Sequence, residues 1–296
     1  MIARGRAVLV YRQTDYEGLL NTFGTPGQAG FFLKSRGMDL DEVRARHRHQ
    51  AESLALVAGA VPSSLRQARV ERQDLDRFSF EPDDLVVVVG QDGLVANVAR
   101  FLSGQDVVGV NPEPDRNEGM LVTFTPSAAA QHLRAPGAVR REKRTMVEAR
   151  LDDGQTLCAL NELFWGHPSH QSARYRLCYR KAEERHSSSG LLVSTGTGAS
   201  GWARSIARER RSTLPTPLPE ARELLFFVRE AWPSRATQAE LTEGVLEEGE
   251  CLRVEAEMDG VVFGDGVEAD RLQVRFGQRI ELRSSERQLH LLKPGR

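Results

Sequence analysis

The sequence predicts an α/β fold in two lobes: a Rossmann-like α/β lobe built on a parallel sheet, then an antiparallel β-rich lobe of β-sandwich type. Three observations predict it. The unbroken run Leu85-Val86-Val87-Val88-Val89 stops at Gly90 and Gly93, which flank Asp92, and a helical pattern with Leu94, Val98, Phe101 and Leu102 on one face follows at once. That is a buried strand, a tight turn and a helix. Strands and helices alternate before it, whereas beyond Pro126 short segments separated by turns replace the helical periods. Finally, 296 residues exceed what one core usually serves, so two lobes are the default.

Taken in order, Ala7 to Tyr11 reads as the first strand. Asn21 to Gly30, rich in Gly, Thr and Pro, reads as a loop, and Phe31-Phe32-Leu33 starts another apolar piece. Asp39 to Val57 is a helix capped by Asp39 or Asp41, and Arg44, Arg46, Arg48 and His49 form its solvated face. A short strand around Ala68 to Val70 precedes the central one. Strand, helix, strand, strand, helix is the order of a parallel sheet with crossover helices. Ligands of such sheets gather at the carboxyl ends of the strands, where Gly90 to Gly93 lie. Val107 to Val110 is the next strand, Asn111 to Gly119 a loop with two prolines, and Met120 to Phe124 a closing strand. The boundaries expected are residues 1–125 for the α/β lobe, 126–282 for the β-rich lobe and 283–296 for a C-terminal segment. In the second lobe the expected strands are Lys143–Leu151, Gly154–Leu163, Arg174–Arg180, Leu191–Ser194, Leu224–Val228, Cys251–Met258, Val261–Phe263, Leu272–Phe276 and Arg279–Leu282. Ser212 to Pro219, with three prolines, is a surface loop.

Composition narrows the class. Forty per cent hydrophobic and 27% charged residues describe a globular protein. Forty basic against forty-one acidic side chains give a formal charge of −1, which supplies no net attraction to nucleic acid or to an anionic membrane. Cys158, Cys178 and Cys251 are widely spaced with no CxxC pair, as expected of a reduced, cytoplasmic protein. The opening apolar run, Ala7 to Val10, is too brief for a signal sequence or a membrane span.

Three stretches carry chemistry. Glycines in the turn at 90–93 let a phosphate approach the amides of a helix N-terminus, and Asp92 sits among them as a lone carboxylate. Beside a polyphosphate a carboxylate is repelled unless a metal or a reacting hydroxyl lies between them, so Asp92 suits a base or metal partner better than a phosphate binder. An ordinary turn with a capping Asp accounts for the same residues. Asn161-Glu162 can present donor and acceptor to a ribose or base edge, and turn chemistry explains an Asn equally well. In Ser194-Thr195-Gly196-Thr197-Gly198-Ala199-Ser200-Gly201-Trp202 a strand feeds a loop of hydroxyls and glycines, with Trp202, Ser205 and Ile206 opening a short helix. Hydroxyls and amides suit phosphate or sugar oxygens, and an indole suits a base.

These pieces, in this order, resemble the NAD kinase family. The family's GGDGT turn and following arginine are matched by Gly90-Gln91-Asp92-Gly93-Leu94 and Arg100, its NxGxxGFL by Asn111 leading through a longer loop to Gly119-Met120-Leu121, and its ALNE by Ala159-Leu160-Asn161-Glu162. Its DGLxxSTPTGSTAYSxS is matched by Ser189 to Ser205, and a late DG by Asp265-Gly266. The resemblance implies an α/β lobe, a β-rich lobe, a final segment returning to the first, and a dinucleotide in the cleft between lobes. It implies that Asp92 accepts the proton of the adenosine ribose 2′-hydroxyl of NAD as that oxygen attacks the terminal phosphoryl of ATP or polyphosphate, making NADP. Gly90 and Gly93 shape the phosphate site; Asn111, Met120, Asn161, Glu162, Thr195, Thr197, Ser200, Gly201, Trp202 and Ser205 contact substrate. Mg²⁺ comes with the ATP, held mostly by phosphate oxygens and water, and a homodimer or homotetramer is expected.

Departures leave alternatives. Gln91 replaces a glycine, which costs roughly 1–2 kcal/mol if the position needs a positive φ, and Leu94 removes a threonine hydroxyl. Met120 replaces Phe, Ser189 Asp, Gly196 Pro and Trp202 Tyr. A catalytically weak or inactive NAD(P)-binding regulatory homologue, and a lipid or sugar kinase of the wider superfamily, therefore stand beside the kinase reading.

Overall fold

The structure is a computed structural model and describes residues 5–295; the first four residues and Arg296, parts of the first and last expected segments, lie outside it. The chain divides into two compact units, residues up to Glu142 together with those from His290 onward, and Lys143–Leu289.

The first unit opens with β1 (Arg6–Tyr11), whose four central residues are wholly buried. Thr14 then caps α1 (Asp15–Phe23) with a capping box to Glu17, and Thr25 caps α2 (Pro26–Lys34), with Pro26 in its first turn. The loop expected over Asn21–Gly30 is thus the meeting of two helices. Gly24 at φ +76° ends the first, and Thr25-Pro26 is a helix start rather than a turn. Asp39 caps α3 (Leu40–Ala58), which leads to β2 (Arg66–Glu71), β3 (Leu85–Val89), α4 (Asp92–Ala99) and β4 (Asp106–Val110). The strands lie in the order β2-β1-β3-β4, all parallel. This is the parallel sheet the sequence predicts.

Met120–Phe124 is not a strand. Only an isolated bridge, Val110 to Phe124, forms there, because the amides of residues 120–122 turn instead toward Asp92. Thr125 caps α5 (Pro126–Arg134), whose Ala129, Ala130 and Leu133 pack in the first unit's core with Leu9, Val87, Val108 and Leu292. The residues expected to open the β-rich lobe therefore complete the α/β unit.

Within the second unit and its edges run β5 (Val139–Leu151), β6 (Thr156–Ala159), β7 (Glu162–Gly166), β8 (Ala173–Tyr179), β9 (Ala182–Ser188) and β10 (Gly190–Ser194), then α6 (Trp202–Arg210). The strands β11 (Leu224–Arg229), β12 (Glu243–Leu246), β13 (Cys251–Ala256), β14 (Gly260–Gly264), β15 (Val267–Val274) and β16 (Arg279–Pro294) follow. One antiparallel sheet runs β12-β11-β10-β7-β14-β15; in another β13 pairs β8 and the first part of β16, and β8 pairs β9. Trp165, Val193 and Phe226 of the first sheet and Tyr175, Val254 and Ile280 of the second share one core, which makes this unit a β-sandwich. The strand expected over Gly154–Leu163 is broken at residues 160–161 into β6 and the start of β7, and β9 and β12 are additions to the expected set. In β9 the sequence AEERHSS is polar, yet its alternate residues Glu184, His186 and Ser188 are buried. From His290 to Leu292, β16 pairs in parallel with β4 in the first unit.

Candidate functional site

In the first unit the candidate residues collect at the carboxyl edge of β3 and β4. Asp92 is the first residue of α4, where the helix dipole favours a carboxylate. Its Oδ2 accepts the Met120 amide at 2.9 Å, and its Oδ1 accepts those of Leu121 at 2.8 Å and Val122 at 3.1 Å. Of the roughly four lone-pair sites of a carboxylate, three are filled by this loop and one, on Oδ2, is left for a ligand proton. The loop is held from behind: Gly90 N donates to Val110 O, Asn111 N donates to Phe124 O, and Phe124 N donates to Gly109 O. A Cβ at Gly109 would lie 2.1 Å from the Leu121 carbonyl, so only glycine lets the loop cross β4 so closely. Gly119, at φ +67°, turns it.

Asn111 is buried, with its amide donating to Asn117 O and its Oδ1 accepting Glu113 N. Both ends of that side chain therefore shape the 111–117 loop. Met120 is 54% exposed beside the carboxylate. Gln91 has φ −101° and ψ 167°, extended backbone that any residue adopts, so the strain considered for a non-glycine residue there does not arise. Gly93 faces open space and Gly90 is buried against Leu94.

A small cavity of about 90 Å³ at this edge is lined by Gly90 and Gln91 together with Arg12, Arg46, His47 and Glu113. The Arg46 assigned to a solvated helix face thus lines a cavity, 3.7 Å from Asp15, which Arg12 approaches to 3.8 Å. His47 Nδ1 lies 2.9 Å from the Thr14 hydroxyl. No local motif marks these residues; they come together because β1 ends beside β3 and the first half of α3 lies over the same edge, where the Gln50 side-chain amide donates to Val89 O at 2.8 Å. Among the described residues no group of three or more His, Cys, Asp or Glu side chains could hold a metal ion.

In the second unit, three loops are knitted around residues 160–162. Asp265, held at φ +52°, accepts the amides of Leu160 at 2.9 Å and Asn161 at 2.7 Å, and its own amide donates to Glu162 O. From the other side the Thr195 amide donates to Asn161 O, and the wholly buried Thr195 hydroxyl donates to Leu160 O at 2.6 Å. Thr197 Oγ1 accepts from Arg144, 3.4 Å away, and the Ser200 hydroxyl donates to Thr197 O. Several hydroxyls offered by the sequence to a ligand are therefore engaged inside the loop, Thr195 above all.

Asn161 is half-buried, and its side-chain carboxamide makes no hydrogen bond within the described residues. Burial, reinforced by the neighbouring Asp265, pushes the Glu162 carboxyl up to about 7. Glycines let the loops touch. A Cβ at Gly198 would lie 2.2 Å from Asn161 O, and one at Gly196 2.3 Å from Leu218 O, which accounts for glycine where the family has proline. Gly201 precedes α6, and its carbonyl accepts the Ser205 amide. Ser205 is exposed. Trp202 stacks on Phe164 at 5.6 Å, and the Arg229 guanidinium lies 5.1 Å from its ring. The indole considered for a base thus already has ring partners.

No protein-family model matches the chain. It is similar to the NAD kinase of Buchnera aphidicola, 33% identical over 132 residues, and to that of Edwardsiella ictaluri, 34% identical over 132 residues. In each case the match covers 41% of this chain and 44% of the relative, so the chain spans less than half the length of these relatives. The NAD kinase of Pectobacterium atrosepticum is 28% identical over 221 residues, 71% of each chain. This chain has the fold of an NAD kinase from Archaeoglobus fulgidus solved in complex with ATP, with a TM-score of 0.58, 17% identity, and 97% of this chain and 93% of that one covered. Sequence relatives and fold point the same way: the chain is similar in sequence to NAD kinases and shares the fold of one.

Proposed function

We propose that the protein is a phosphotransferase that moves the terminal phosphoryl group of ATP, or of polyphosphate, to the adenosine ribose 2′-hydroxyl of NAD. The observation that supports this most is the Asp92 carboxylate, fixed by three loop amides in a glycine-flanked turn with one acceptor position left. Asp92 takes the hydroxyl proton, the ribose oxygen bonds to phosphorus, and the bond from phosphorus to the bridging oxygen breaks to release ADP. Amides at the start of α4, between Gly90 and Gly93, face the donor phosphates. Magnesium enters as part of the ATP substrate, liganded by phosphate oxygens and water. Asn161 and Glu162 hold ribose or base, Thr195 and Thr197 position their loop, and Met120, Ser200, Gly201 and Ser205 border the substrate. A cytoplasmic homodimer or homotetramer is the proposed form. Among the described residues no helix is long and apolar enough to cross a membrane.

NADP formation from NAD and MgATP, followed by coupled assay with an NADP-specific dehydrogenase, tests the reading. Absence of turnover with ATP and with polyphosphate, together with calorimetric binding of NAD, selects a second reading, a non-catalytic dinucleotide-binding protein. One observation favours that alternative: a carboxylate that clamps a loop through three amides is of structural use without any proton transfer.

A further inference from the structure

A second cavity, of about 460 Å³, lies on α6 and is lined by none of the residues assigned above. Its accessible apolar lining is Ala207 and Leu214, above the buried Ala203, Leu225 and Phe227, and its charged lining is Arg204, Arg208 and Arg211, with no carboxylate. The arginines fall at i, i+4 and i+7, one face of the helix. None of the three makes an ion pair or side-chain hydrogen bond among the described residues, whereas the adjacent Arg210 donates to the carbonyls of Val228 and Thr242.

A solvated helix end explains part of this pattern, since cations near a C-terminus suit the helix dipole. It does not explain Arg204, which sits in the first turn, against the dipole, with no acidic residue in that turn. Nor does it explain Arg211, an L-residue held at φ 56° where glycine is the unstrained choice, with its side chain on the cavity. Three like charges around one apolar-floored cavity repel one another until an anion joins them. Guanidinium forks match phosphate oxygens, and the half-buried Ala207 and Leu214 offer the apolar surface a ligand can reach. The volume falls within the range of small-molecule sites.

We propose that this cavity binds a nucleoside phosphate, its phosphates on Arg204, Arg208 and Arg211 and its base on the apolar lining. The site is separate from the proposed transfer chemistry. Isothermal titration of the full chain with ADP and with inorganic pyrophosphate tests it, comparing the wild type with the triple variant Arg204→Ala/Arg208→Ala/Arg211→Ala and with Asn161→Ala. The triple variant is expected to lose one bound equivalent of ADP that Asn161→Ala retains, and pyrophosphate is expected to bind at least tenfold more weakly than ADP at that site. All three arginines are solvent-exposed; circular dichroism checks the fold, and the single variant Arg208→Glu gives the same readout. An unchanged ADP stoichiometry overturns the proposal, as does pyrophosphate equal to ADP, or an oligonucleotide that binds these arginines where ADP does not. A wild type unable to phosphorylate NAD would sink the kinase reading and leave this titration interpretable.

Discussion

Asp92 and Glu162 are carboxylates placed in opposite circumstances. The first is surrounded by amide donors and the second by apolar burial and another carboxylate. Asp92→Asn removes the proton acceptor while preserving shape, so kcat for NADP formation should fall by about 10²–10⁴, with the NAD KM changed only a few-fold. A variant that keeps its rate would remove Asp92 from the chemistry. For Glu162 the native carboxyl binds its proton more tightly than in the unfolded chain, where the value is near 4.3. The stability that follows is present below the unfolded value and is lost as pH rises from about 4 to 7. Glu162→Gln should therefore be more stable than the wild type by up to about 3 kcal/mol at pH 8, and the gap should shrink toward pH 4.5. Urea denaturation at both pH values checks it; a gap independent of pH would contradict the assignment.

At the scale of elements, the strand-turn-helix units hold the candidate residues and the loops between them decide geometry. The loop at 194–201 rests on 160–162 through glycines. Gly198→Ala places a methyl group 2.2 Å from a backbone carbonyl, and overpacking of this kind costs about 1–3 kcal/mol or more. The expected outcome is a lower melting temperature together with weaker NAD binding, read by scanning calorimetry and titration; wild-type affinity in the folded variant would show that the loop does not shape a dinucleotide site. Much of this level was legible. The β-branched run at 85–89, the Asp39 cap and the short strands of the sandwich carry their signals locally. Others were not. Thr25-Pro26 reads as turn or helix start until the helix beyond it packs Ala29 and Leu33. Met120–Phe124 has strand composition, yet its amides find a side-chain carboxylate nearly thirty residues earlier in sequence.

For the whole molecule, the first unit is completed by the C-terminal part of the chain. Leu291 and Leu292 are buried, and residues 290–292 extend the sheet beside β4. Leu292→Ala should destabilise by about 2–5 kcal/mol and raise amide exchange in β3 and β4 more than in β8 and β9; hydrogen-exchange mass spectrometry reads this, and equal loosening of both sets would show that the two units open as one. Patterns that depend on near neighbours were settled along the chain: the central strand at 85–89, the start of α3 at Asp39, and that a lone carboxylate sits in a glycine-flanked turn. Tertiary structure alone decided that the Asp92 oxygens face the amides of 120–122, that the Thr195 hydroxyl is turned inward, that Arg12, Arg46 and His47 join Gln91, and that three arginines share one apolar cavity. The physical reason is range. Propensity and capping act over a turn or two, whereas a hydrogen-bond partner or a neighbouring charge is chosen by whichever distant segment the packed core brings alongside.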